Sequence, residues 1–183
     1  MASDLAGQFH VLEDWKQIVS DFKDESTKCD VLLLIPHVDR TLEGDPLLDL
    51  GVEPSMRINQ IRGALELRRD EPLVFLLGCS TGAGETPSTE FPGRFLDAGA
   101  ALVVSTMTAV RGRFVAPLGE QLVHLTRELA GSDEPLFGEA MLRLRQLLLG
   151  QNPMVLTLVA YGDADWLLSM DDNDEHDAGG GTS

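Results

Sequence analysis

Two residues in this chain combine the types and the spacing for nucleophilic chemistry. His37 follows the apolar run Val31-Leu-Leu-Leu-Ile-Pro36, and Cys79 follows Leu73-Val-Phe-Leu-Leu-Gly78. A free thiol is mostly protonated at neutral pH, and the thiolate is the nucleophile, so a cysteine of this kind needs a base within reach. An imidazole can take the proton and later return it to a leaving amine. The oxyanion formed on attack at a carbonyl needs donors, which backbone N–H groups of a glycine-rich turn supply. Gly78, Gly82 and Gly84 surround Cys79, and the backbone after His37, at Val38, is the second candidate donor. The chemistry of such a pair is acyl transfer from an amide. It requires no metal and no cofactor, and no His/Cys cluster in the chain has zinc spacing.

The elements that must position the pair follow from hydrophobic patterning. Both apolar runs suit strands buried on both faces of a parallel sheet, over about 30–36 and 73–78. Reactive groups in open α/β sheets collect beyond the carboxyl ends of the strands, where His37 and Cys79 would be neighbours. Phe9, Leu12, Trp15, Ile18, Val19 and Phe22 predict an amphipathic helix over about 8–24. Residues 38–54 read as loop, punctuated by Gly44, Pro46, Gly51 and Pro54. Ser55 is placed to cap a helix carrying Met56, Ile58, Ile61, Leu65 and Leu67 and ending at Arg68-Arg69. A short helix through Phe95-Leu96 is expected to stop at Gly99. A strand over 101–107, two helices over about 113–130 and 135–149, and a last strand over 155–161 complete the pattern. This alternation predicts an α/β fold with a mostly parallel sheet flanked by helices on both faces. One domain is expected over 1–168. The acidic, Gly-rich segment 169–183 lacks apolar periodicity and is expected to be a disordered tail.

The chain has 183 residues and a formal net charge of −16. That charge would repel phosphate-rich partners, so neither nucleic acid nor an anionic membrane surface is expected. No apolar stretch approaches a membrane span. The opening Met-Ala-Ser-Asp lacks the basic and apolar regions of a secretory leader, and two cysteines make no disulfide framework. A reducing cytoplasm is the expected compartment, where a thiol at position 79 stays available.

Other residues offer less. Cys29 precedes the first strand and reads as a packed or surface thiol. His124, inside a predicted helix among Leu122, Val123 and Leu125, reads as structural; His10 and His176 fall at a helix start and in the tail. Gly82-Ala-Gly-Glu85 follows a strand as phosphate loops do, but no Lys completes a P-loop. Asp163 and Asp165 stabilise a turn or line the site. No GxSxG elbow points to a serine hydrolase.

Several segments, taken in order, resemble the CHAT-domain peptidases, caspase-like cysteine peptidases related to separases. Leu73-Val-Phe-Leu-Leu-Gly-Cys-Ser-Thr-Gly82 is similar to that family's nucleophile strand, of the form LVVLxACxTG. Phe95-Leu-Asp-Ala-Gly-Ala100 is similar to FLxAGA, and Leu102-Val-Val-Ser-Thr106 to the strand before an LWPV element. Gly138-Glu-Ala-Met-Leu-Arg143 resembles a GEALR helix, and Tyr161-Gly-Asp163 a closing YGDP. The separation of 42 positions between His37 and Cys79 also resembles the caspase order, in which the His lies about 50 residues upstream of the Cys. The resemblance spans roughly 27–166. It implies a caspase–hemoglobinase-like three-layer fold, His37 as base, Cys79 as nucleophile, and cleavage of a peptide bond in a protein or peptide substrate. It further implies control by a regulatory or repeat-domain partner.

The chain also departs from the family pattern. Val38 stands where His-Gly is usual, and a branched side chain there is expected to narrow the cleft. Thr108-Ala109 replace the Trp-Pro of the LWPV element, removing a large aromatic from the substrate pocket beside Thr108. Arg111-Gly-Arg113 stand where an acidic residue is common; Arg111 either favours an acidic residue before the cut or faces solvent. These departures keep a second reading open: a catalytically silent caspase-like module that serves as a protein-interaction subunit.

Overall fold

The structure is a computed structural model. It describes residues 14–24, 26, 28–52, 54–79, 81, 91–110, 112–132 and 134–168. The predicted tail, His10, His176, Phe9, Leu12, Gly82, Gly84 and Arg111 lie outside the described residues.

Four strands form the main sheet: β1 (Val31–Leu34), β5 (Leu73–Leu76), β6 (Leu102–Thr106) and β7 (Leu158–Gly162), side by side in that order. β1, β5 and β6 are parallel, and β7 runs antiparallel to β6. The direction of β7 follows from what connects it. β6 and β7 are joined by two helices, α4 (Gly112–Ser132) and α5 (Phe137–Leu148). One helix returns the chain to the opposite end of the sheet; a second brings it back to the end it left, so β7 enters beside Thr106 and runs the other way. The fold is mixed α/β with a mostly parallel sheet.

Strand alternation divides the core into two faces. Leu73, Phe75, Leu77, Leu102 and Val104 pack against α4 and α5, with Leu118, Leu122, Met141 and Leu144. Val74, Leu76 and Val103 pack on the other face against α1 (Trp15–Lys23), α2 (Ile61–Ala64) and α3 (Phe91–Ala98). Phe75, Val74 and Leu76 are fully buried, each contributing roughly 1.5–3 kcal/mol of transfer free energy. In α1 the buried residues are Trp15, Ile18 and Phe22, and Asp14 caps the helix by accepting the Gln17 N–H at 2.9 Å. Gly99 ends α3 at φ +109, and a Cβ there would collide with the Arg68 side chain and backbone, so no side chain fits.

Three expectations are corrected. Residues 38–54 are not loop: β2 (His37–Arg40), β3 (Pro46–Asp49) and β4 (Met56–Arg57) form a small antiparallel sheet. Its hairpin turn is closed by Thr41 N–H to Asp45 O at 2.8 Å and Gly44 N–H to Thr41 O at 2.9 Å. It is tied to α1 by the Trp15 indole N–H, which donates to Leu48 O at 3.0 Å. The helix expected from Ser55 is broken into 3-10 turns at Ile58–Gln60 and Leu67–Arg69 around the four-residue α2. Leu65 and Leu67 are both buried, and a helix would send residues two apart to different faces. The chain extends at Leu65 instead. Finally, β7 begins at Leu158, not 155. Asn152 accepts the Met154 N–H at 3.2 Å, and Pro153 starts a 3-10 turn through Thr157.

Candidate active site

The register of β1 and β5 sets the geometry. Val31 pairs with Leu73 and Leu34 with Leu76, a constant offset of 42 positions. Leu77 N–H continues it by donating to Leu34 O at 2.9 Å. The ladder ends there; counted on at the same offset, Pro36 falls with Gly78 and His37 with Cys79, although His37 itself is paired with Asp49 in the second sheet. Pro36 and Gly78 are in backbone contact: a Cβ added at Gly78 would collide with the Pro36 carbonyl oxygen and lie 2.6 Å from Thr81 Cγ2. Glycine is what lets the two strand ends approach.

His37 is not at the end of β1, as the apolar pattern implied, but is the first residue of β2. The two-residue link Ile35-Pro36 carries the chain from one sheet to the other without losing the alternation. Leu32 and Leu34 face the α1 side, and so does Val38, which packs half-buried on that core and pairs with Leu48. Val31 and Leu33 face the α4 side. His37, next to Val38, is on the opposite face of β2, and Cys79 packs on the α4 side of the main sheet. Val38 packs against the α1-side core, whereas Cys79 packs against the α4-side core. His37 itself is exposed, with Asp49 opposite it on β3.

Cys79 is a half-buried free thiol. Its S–H donates to the carbonyl oxygen of Val110 at 3.2 Å. The segment Met107–Val110, between β6 and α4, thus passes over the sulfur and holds its proton. Val110 is buried and packs into the α4 core, which anchors this strap, whereas Met107, Thr108 and Ala109 are exposed. Thr108 is at the same end of the sheet as Cys79. Arg113 is exposed and stacks over Phe114 at 4.7 Å, in keeping with the solvent-facing alternative for this arginine.

Two hydroxyls that the sequence marked only as motif letters organise the turn after β5. Thr81 and Thr106 are both fully buried. Thr81 Oγ1 donates to Leu76 O at 2.7 Å and lies 3.2 Å from Thr106 Oγ1. Thr106 Oγ1 donates to Gly78 O.

The other candidates fall away from this end. Asp163 Oδ1 accepts the Asp165 N–H at 2.9 Å, a turn role. Because β7 is antiparallel, both follow Gly162, which is opposite Leu102 at the amino end of β6, so neither lines the site. His124 is exposed on α4 and 3.3 Å from Glu128, an ion pair once protonated. Cys29 donates its backbone N–H to Asp70 Oδ2 at 3.2 Å, and burial, with Asp70 and Asp30 nearby, pushes its thiol up to about 12. Arg69 holds the Asp70 carboxyl below its usual range. A cavity of about 260 Å³ between Asp30, Arg69, Thr126 and Trp166 is also at the amino end of the strands.

Among the described residues no cluster of His, Cys, Asp or Glu is placed to hold a metal, and no helix is long and apolar enough to cross a membrane. In comparisons with known proteins, no protein-family model matches the chain and no curated protein matches it significantly.

Proposed function

We propose that the chain is a cysteine endopeptidase of the caspase-like, CHAT-domain kind, with His37 as base and Cys79 as nucleophile. What supports this reading is the 42-position register of β1 and β5 over Val31–Leu34 and Leu73–Leu76, which, carried on along both chains, would bring His37 and Cys79 to the same end of the sheet. Catalysis starts when the Met107–Val110 strap shifts and the sulfur turns from Val110 O. His37 takes the thiol proton, and the thiolate forms a bond to the substrate carbonyl carbon as the C=O π pair moves onto oxygen. Backbone N–H groups at Cys79 and Val38 receive that oxyanion. Its collapse breaks the C–N bond, and the departing amine takes the proton from His37. Water, deprotonated by His37, then attacks the thioester; the thiolate leaves and regains the proton. The exposed Ile35 and Met107 give the rim apolar surface, which suits a polypeptide substrate.

The Cys79–Val110 hydrogen bond favours a second reading, a silent module whose thiol is permanently held and which acts by binding partners. Cleavage of a diverse peptide library separates the two. The endopeptidase cuts, and loses cutting in both Cys79→Ala and His37→Ala. Absence of cleavage by the wild type, with Cys79 inert to iodoacetamide at neutral pH, leaves the binding module.

A further inference from the structure

We propose that Thr106 is a positioning residue for the oxyanion donor, an assignment that rests on the endopeptidase reading. The argument begins with which way the β5 peptides point. Leu73 N–H donates to Asp30 O at 3.0 Å and Leu77 N–H to Leu34 O at 2.9 Å, so odd-numbered amides of this strand point toward β1. Even-numbered carbonyls point the other way, toward β6. Beyond Leu77 the ladder has ended, and a turn containing Gly78 is free to rotate its peptide planes.

Thr106 removes that freedom. Its hydroxyl, fully buried at the end of β6, donates to Gly78 O and keeps this carbonyl in the direction the strand would have given it. In a planar trans peptide the C=O and the following N–H are opposed. With Gly78 O held toward β6, Cys79 N–H is directed to the β1 side, where the chain runs through Pro36 to His37. An oxyanion formed between His37 and Cys79 meets that N–H. Thr81 completes the clamp: its hydroxyl donates to Leu76 O and lies 3.2 Å from that of Thr106. Neither threonine touches the substrate. Both act through the Gly78–Cys79 peptide.

The test compares Thr106→Val, which keeps the shape and loses the donor, with Thr106→Ser, which keeps the donor. Peptide cleavage and Cys79 alkylation by iodoacetamide are measured on each, because alkylation displaces iodide and creates no oxyanion. Loss of one oxyanion donor costs on the order of 10²–10³ in kcat, and a misdirected donor less, so kcat of Thr106→Val is expected to fall about 10- to 100-fold. KM and the alkylation rate should stay within about twofold, and Thr106→Ser should restore kcat. Thr81→Val, which keeps the Thr106 bond, is expected to lose kcat by about threefold in the same way, which preserves the test if Thr106→Val folds poorly. Unchanged kcat in both valine variants overturns the assignment, as does alkylation that falls in step with cleavage. A wild type that cleaves nothing refutes the endopeptidase reading itself, and the assignment with it.

Discussion

Replacing Gly78 with alanine tests the close approach of the β1 and β5 ends. The added Cβ would meet the Pro36 carbonyl oxygen, Thr81 Cγ2 at 2.6 Å and Pro36 Cγ at 3.3 Å. Two of these atoms belong to a rigid ring and a backbone carbonyl that cannot rotate aside, and β1 is tied to β5 by the Leu77–Leu34 hydrogen bond just before them. The strand ends must separate, at an overpacking cost of about 1–3 kcal/mol, here expected at roughly 2 kcal/mol because backbone has to move. For a chain of this size that corresponds to a fall in Tm of about 4–8 °C. Separation by about an ångström also misplaces His37 against Cys79, which is expected to lower cleavage by about 10²-fold. Urea unfolding followed by the fluorescence of buried Trp15 gives the first quantity, and peptide cleavage the second. The control is Gly131→Ala in α4, where an added Cβ meets nothing within 4 Å; it should gain about 0.4–1 kcal/mol. Gly78→Ala with the stability and activity of that control would refute the apposition of β1 and β5 at this point.

Three further outcomes are expected. Val110→Ala removes buried methyls that anchor the strap over the sulfur; at about 1.4 kcal/mol of lost anchoring, Cys79 alkylation should rise about tenfold, and an unchanged rate would show that the strap does not restrain the thiol. Asp70→Asn loses a charge-assisted contact with Arg69 and is expected to cost about 1 kcal/mol at pH 7. Because the folded carboxyl titrates below its unfolded value, this stability is present above the unfolded value and lost as pH falls through the folded one; urea midpoints of variant and wild type should converge once the pH is below the folded value. The Cys29 thiol, raised to about 12 in the folded chain from an ordinary 9.0, binds its proton more tightly when folded. Wild-type stability should therefore decline between pH 9 and 11, and Cys29→Ala should flatten that decline in the same urea measurement.

The strands were legible where burial is two-sided. Leu73–Leu76 and Leu102–Thr106 are continuous apolar runs because both faces are covered, and Gly99 declared the end of α3. The small sheet was not legible, since its strands are two to four residues long, and in β2 only Val38 packs inward. Local punctuation by Gly44, Pro46 and Gly51 outweighed so brief an alternation. The direction of β7 was available from the two consecutive helices before it, which reverse the sense of a crossover. Of the candidate site, His37 and Cys79 were marked by their places after apolar runs. The inward turn of Val38 was not, because it depends on Ile35-Pro36 preserving the alternation between two sheets. The roles of Thr81 and Thr106 depend on contacts across 25 positions, which no local pattern carries.

The pairing of His37 with Cys79 is tested most directly by competitive alkylation of the two cysteines at pH 7, located by peptide mapping, in wild type and His37→Ala. Cys29 is the internal reference, its thiol raised to about 12. The wild type should be labelled at Cys79 in preference to Cys29, and His37→Ala should slow Cys79 by about tenfold or more while leaving Cys29 unchanged. Equal labelling of the two cysteines, or a Cys79 rate indifferent to His37, would contradict the dyad.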